Sequence, residues 1–356
     1  MVGRAGAQTA GSNGTSPGTG VAGQKQDDGR ISINVVVADK QGHPVRGLQA
    51  SDFSLLDNGQ PTKILGFMAQ DAEKTAGAPV HVIVVIDMVD VPFRTTAWVR
   101  EELGQFLKED GGKLGYPTSL AVLSESGLKL QQGATRDGNA LMSDFDQYQT
   151  ELRIVNRSGG FYAAGEMLEL SLSQISQLAA YEATKPGHKL VLVISPGWPL
   201  LPFAGDQEDM AQRNWVFHSI VALTNGLREA NITLYSLDPY ELGRSDPFYY
   251  QTFLKPVAKA GGAEYPYLGL QVLATHTGGL VEVTGRDITG ELNTAVRDAA
   301  ASYELTFQGA PGDGPNAYHA LKVKVDQPGV SVRTTAGYYA NVQLPAAKAP
   351  RKIRGK

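Results

Sequence analysis

Two uninterrupted β-branched runs, His81-Val-Ile-Val-Val-Ile-Asp87 and Lys189-Leu-Val-Leu-Val-Ile-Ser195, constrain this chain more than any other feature. A strand with one wet face alternates apolar and polar residues, so a continuous apolar run must be covered on both faces. Each run is followed by a helical pattern. Together they predict central strands of a mostly parallel, doubly wound α/β sheet. In such sheets ligands bind outside the carboxyl ends of the strands. Asp87 therefore stands where a functional site would be built.

The rest of the chain falls into place around these runs. Residues 1–29 are rich in Gly, Ser, Thr and Ala without an apolar h-region, and read as a flexible linker rather than an intact signal peptide. Ile31 to Ala38 alternates as a half-buried strand. Phe53 to Leu56 leads into the hairpin signal Asp57-Asn58-Gly59, with Pro61 to Phe67 as the return strand. From Val80, strands near 80–87, 119–123, 189–195, 231–238 and 280–283 alternate with helices near 95–109, 138–149, 162–183, 211–230, 267–277 and 288–301. Leu128 to Gln132 forms an edge hairpin with 119–123, and Thr135 to Asp137 reads as a helix cap. Alternating strands return at 303–307, 319–325 and 330–333. Neither end has enough strands to bury a face alone. The expected organisation is a small β-sandwich from 30–70 plus 303–340, an α/β domain over 80–301, and a basic tail at 341–356.

Composition narrows the function classes. The net charge of −4 gives no electrostatic footprint for nucleic acid or an anionic membrane. No apolar run reaches the roughly 20 residues of a membrane-spanning helix, so no membrane insertion is expected. The absence of cysteine removes disulfides, thiolate metal sites and cysteine nucleophiles together. The six histidines show no ligand spacing for a transition metal. Gly18-Thr-Gly-Val-Ala-Gly23 matches a dinucleotide fingerprint as text only, since no strand precedes it and no helix follows.

A set of short stretches resembles the von Willebrand factor A domain family, and most closely the A-domain-related proteins of acidobacteria. They are Val45 to Phe53 with Asp57-Asn-Gly59, Val82 to Asp87, Val191 to Gly197, Ile232 to Pro239, Thr277 to Val281, Lys322 to Val325 and Gly337-Tyr-Tyr-Ala340. The resemblance implies an A-domain/Rossmann-like sheet. It also implies a divalent-cation site built from Asp-x-Ser-x-Ser, a loop Thr and a later Asp, with the last ligand supplied by a partner's carboxylate. Of that set only Asp87 is kept. Val89 and Val91 replace the serines, Gly159-Gly160-Phe161-Tyr162 lacks the Thr, and Ser195-Pro196-Gly197 lacks the later Asp. Isopropyl groups do not coordinate Mg²⁺, so the expectation is a degenerate site with no cofactor. Asp87 and Asp90 remain as residual candidates for weak Mg²⁺ or Ca²⁺ binding.

Three loops leave the carboxyl edge and carry aromatics: Phe93 after the first strand, Trp198 and Phe203 after the second, and Tyr240 and Phe248 in the loop from Pro239. Clustered surface aromatics mark interaction sites. The expected function is a non-enzymatic protein-binding or adhesion-type module. It would engage an unidentified protein through Asp87, Asp90, Phe93, Trp198, Phe203, Tyr240 and Phe248. By the resemblance it would be exported, in the periplasm or cell envelope. One alternative is a cation-dependent adhesion or scaffold module using Asp87 and Asp90. The other is a hydrolase on Asp87, or on Ser195 with Asp238 and His276, although the elbow Gly-x-Ser-x-Gly is absent.

Overall fold

The computed structural model describes residues 29–70, 80–90, 93–151, 161–198, 209–239, 250–282 and 287–345. The strands are β1 (Arg30–Asp39), β2 (Phe53–Asp57), β3 (Gln60–Thr62), β4 (Ile64–Ala69), β5 (His81–Asp87), β6 (Lys113–Ser124), β7 (Gly127–Leu130), β8 (Thr135–Asp137), β9 (Lys189–Ile194), β10 (Ile232–Leu237), β11 (Val281–Glu282), β12 (Ser302–Gln308), β13 (Ala317–Val325), β14 (Val330–Thr334) and β15 (Gly337–Ala340). The helices are α1 (Phe93–Lys108), α2 (Gly138–Glu151), α3 (Phe161–Glu182), α4 (Met210–Glu229), α5 (Leu270–His276) and α6 (Ile288–Arg297).

The β-branched runs β5 and β9 pair side by side and parallel at the centre of a sheet ordered β11-β10-β9-β5-β6-β7, with β8 also on β6. The strands β5, β6, β9, β10 and β11 are parallel, and the edge strand β7 is antiparallel. Both faces are covered, as the continuous runs require. Ile83, Val85, Val191 and Val193 pack with α3, α4 and α5 residues such as Leu172, Val221 and Leu273. The alternate residues Val82, Val84, Leu190 and Leu192 pack with α1, α2 and α6 residues such as Leu103, Leu141 and Leu292. Counted along this path, leaving out β8, the order is 3-2-1-4-5-6, the doubly wound order whose direction reverses between strands 1 and 4. Here that reversal lies between β5 and β9.

The remaining strands form two antiparallel sheets, β14-β1-β12-β4 and β15-β13-β2-β3, around a core of Ile33, Val35, Phe53, Leu55, Leu305, Phe307 and Val323. The N-terminal β1 lies between the C-terminal strands β12 and β14. The expected return strand Pro61 to Phe67 is instead two strands. β3 closes the hairpin on β2, and β4 crosses to the other sheet and pairs with β12, with a register shift beside Leu65. Burial of both inner faces requires that crossing, which no local pattern encodes. Other boundaries move by smaller amounts. Thr135–Asp137 is a strand on β6, while Asp137 also caps α2 by accepting from the Asn139 and Ala140 amides. The expected helix at 267–277 begins as a 3-10 turn at Tyr265–Leu268 and becomes α5 only after Gly269.

One buried polar unit ties the second sheet together. Asp57, at the end of β2, accepts from Tyr338 Oη of β15 at 2.7 Å and lies 2.8 Å from His319 Nδ1 of β13. The His319 ring stacks on Tyr338 at 4.8 Å. Two stretches that carry the family resemblance, Asp57-Asn-Gly59 and Gly337-Tyr-Tyr-Ala340, are thus halves of one hydrogen-bonded clasp. The sandwich is joined to the α/β sheet by Arg333, whose guanidinium reaches Asp298 and the Gly278 carbonyl, and by Tyr339 Oη on the Val257 carbonyl.

Candidate functional site at the carboxyl edge

The ends of β6, β5, β9 and β10 present a polar row, Ser124, Asp87, Ser195 and Asp238, and all four residues are buried. Asp87 is fully buried at the point where the strand order reverses. Its Oδ1 accepts from the Val89 and Asp90 amides at 2.9 and 3.1 Å, which folds the chain into a turn after β5. Its Oδ2 accepts from Ser195 Oγ at 2.7 Å, bridging β5 to β9 across the switch point. Ser195 Oγ in turn accepts from the Gly197 amide at 3.1 Å. Gly197 sits at φ +89, a left-handed conformation that calls for glycine here.

Asp90 completes the cluster, accepting from Ser171 Oγ of α3 at 3.2 Å. Burial, then the neighbouring Asp87 charge, pushes the Asp90 carboxyl up to about 8. Burial also raises Asp87, opposed by hydrogen bonds from Ser195 and the two amides. Two close buried carboxyls repel when both are ionised, which favours one proton on the pair. It resides on Asp90, because Asp87 has the stronger set of donors.

This arrangement sets a pH dependence. Asp90 is protonated in the folded chain and ionised in the unfolded chain between about pH 4 and pH 8. Its stabilising contribution is complete at the acid end of that window and is lost as pH rises through about 8. The unfolding free energy of the wild type should fall across the window with a slope of at most about 1.4 kcal/mol per pH unit. Asp90→Asn should flatten that slope in urea titrations run from pH 4 to 8. An unchanged slope in the variant would place the proton elsewhere.

The sequence-predicted residues divide sharply. Asp87 and Asp90 come together as expected of neighbours in a turn. Trp198 does not belong to an exposed rim: it is 3% exposed and part of the core under α3 and α4. This corrects the expectation that it presents an anchor to a partner. An indole flanked by a positive-φ glycine turns back onto the sheet and gains more from burial than from exposure. Phe93 is the first residue of α1, and its side chain lies outside the described residues. Phe203, Tyr240 and Phe248 also lie outside the described residues. Val89 packs against the core and offers no ligand. Val91 and Gly159-Gly160 lie outside the described residues, as does the Phe161 side chain.

The hydrolase constellation is not assembled. Ser195 is buried and donates to Asp87, while His276 Nε2 bonds to the Leu254 carbonyl. Two residues escaped the sequence reading. Ser171 and Gln174 lie on the same stripe of α3 as Leu168, Leu172 and Ile175, and both are fully buried. Gln174 holds both the N–H and the C=O of Ser124, pinning the end of β6. A polar residue inside an apolar helical stripe is the signal that marks them. Among the described residues no group of three or more His, Cys, Asp or Glu is placed to hold a metal. No described helix is long and apolar enough to cross a membrane.

No family model matches the chain, and no curated protein matches it. Solved structures similar to it include the N-terminal domain of TFIIH p34, at 12% identity over 61% of this chain and 96% of that one, with a TM-score of 0.31. The pilus adhesin SpaC from Lactobacillus rhamnosus GG is similar at 10% identity over 83% of this chain and 49% of its own, TM-score 0.34. The SpRpn10 VWA domain is similar at 13% identity over 47% and 78%, TM-score 0.24. The chain thus spans about half the length of the SpaC structure. The fold itself rests on this chain's own strand order and covered faces. It is a von Willebrand factor A-like, Rossmann-type sheet carrying a small β-sandwich.

Proposed function

We propose that this chain is a non-enzymatic protein-binding module of adhesion type, with a degenerate cation site, that engages its partner through loops at the carboxyl edge. The observation that carries this reading is the state of Asp87. Its oxygens are committed to Ser195, Val89 and Asp90, and the facing carboxyl keeps a proton. A divalent cation entering here would have to displace that proton and a 2.7 Å hydrogen bond, with only hydroxyls to add to the carboxylates. A nucleophile or general base would need access to solvent, and Asp87 and Ser195 have none. The motif resemblance to the acidobacterial A-domain-related proteins supports an exported, periplasmic or envelope location. The partner surface is then sought among Phe93, Phe203, Tyr240 and Phe248 rather than Trp198.

Cation titration tests the first half. Millimolar Mg²⁺ or Ca²⁺ at pH 7 should leave the melting temperature unchanged, since a ligand that binds only the native state must stabilise it. A rise of several degrees that disappears in Asp87→Ala would establish the rival, cation-dependent module on Asp87 and Asp90. The second half is tested by capture from an envelope extract in the presence of EDTA. The wild type should retain a protein that Tyr240→Ala/Phe248→Ala loses, and equal capture by both would remove the rim from consideration.

A further inference from the structure

We propose that the cleft at the seam of the sandwich and the C-terminal turn of α4 binds a small organic oxyanion. The cleft measures about 570 Å³ and is walled by Arg30, Arg228, Glu229, Gln308, Tyr338 and Asn341 among others. That size suits a compact organic ligand, and clefts where two structural units meet are favoured binding places. Two arginines and one glutamate line the cleft. Glu229 accepts from Arg228 Nη2 at 3.3 Å but is 63% exposed, so its charge is largely screened by solvent. Arg228 and Tyr338 both line the cleft, and the Arg228 charge acts on the phenol. The side chain of Gln308 also lines the cleft.

The wall opposite α4 is preorganised. The Gly309 amide donates to the Gly29 carbonyl at 2.9 Å, and the Ala310 amide donates to Tyr338 Oη at 3.0 Å. Asn341 Nδ2 donates to the Gly312 carbonyl at 2.9 Å and the Gly314 carbonyl at 3.3 Å. A site held open by its own hydrogen bonds loses little ordering entropy on binding. The negative end of α4 does not oppose an anion strongly. Its last carbonyls on Gly226 and Arg228 already accept from Ala230 and Asn231. Guanidinium forks then provide bidentate recognition of a carboxylate or phosphate. This site is remote from the carboxyl edge and independent of the function proposed there.

Calorimetric titration of the full chain with citrate and with inorganic phosphate tests the assignment, with sodium chloride at matched ionic strength as the control. Citrate or phosphate should bind saturably at one site, and Arg228→Gln and Arg30→Gln should each weaken it roughly tenfold or more. Binding by citrate alone identifies a carboxylate ligand, and binding by phosphate identifies a phosphoryl ligand. Arg30 lies on the exposed start of β1, so its variant keeps the test valid if Arg228→Gln fails to fold. Saturable binding unchanged in both variants, or no binding beyond the chloride control at millimolar concentrations, overturns the proposal.

Discussion

Replacing Asp57 with alanine should cost about 3–5 kcal/mol, the cost of removing one partner from a buried hydrogen-bonded polar unit. Asp57 serves two groups that have left water, the His319 imidazole and the Tyr338 hydroxyl, and these residues are 6% and 2% exposed. Without the carboxyl each is left short of an acceptor, and an unmade buried hydrogen bond costs about 1–3 kcal/mol. The loss should appear as a fall in melting temperature of roughly 10 °C. Tyr338→Phe should cost less, because it leaves one carboxyl oxygen of Asp57 and the Ala310 amide short of a partner but keeps the Asp57–His319 contact and the ring packing. The double variant should cost clearly less than the two single losses combined, since both act on one unit. Strict additivity in urea denaturation would show that Asp57 and Tyr338 act separately.

The second large effect is expected at Trp198. Buried in the core beneath α3 and α4, it should destabilise the chain by about 3–5 kcal/mol when cut to alanine, as core aromatics do. An exposed binding anchor would instead lose on the order of 2 kcal/mol of binding with little loss of stability. Trp198→Phe separates packing from polarity. The indole N–H is buried and has no hydrogen-bond partner among the described residues, so its removal recovers desolvation cost while the ring volume shrinks. The phenylalanine variant should therefore retain most of the stability that alanine loses. Equal losses for both would mean that the indole N–H has an acceptor after all. A small loss for alanine would return Trp198 to the surface.

The second effect bears on how the carboxyl edge of the parallel sheet is held together. The carboxyl edge is closed by a hydrogen bond between neighbouring strands, Ser195 to Asp87, and by Ser171 reaching Asp90 from α3. A metal site would draw the same elements together through oxygen ligands. The proton on Asp90 and the Ser195 and Ser171 hydroxyls also draw them together, which predicts a rim whose stability answers to pH.

The central sheet is legible in the residues alone. Five-residue apolar runs such as Val82 to Ile86 admit one environment, covered on both faces, and the intervening helical periods admit few topologies. The residues also place Asp87 at a strand end, because the run stops there. The tertiary structure alone decided what Asp87 does. Ser195 lies 108 positions away and Ser171 lies 81 positions from Asp90. Hydrogen bonds across such separations depend on which strands become neighbours. The same reason explains the division of β3 and β4 between two sheets and the pairing of Asp57 with His319 and Tyr338. Trp198 shows the limit most directly. A tryptophan in a loop after a strand reads the same whether it points outward or inward, and only the free space beneath α3 and α4, created by packing, drew it into the core.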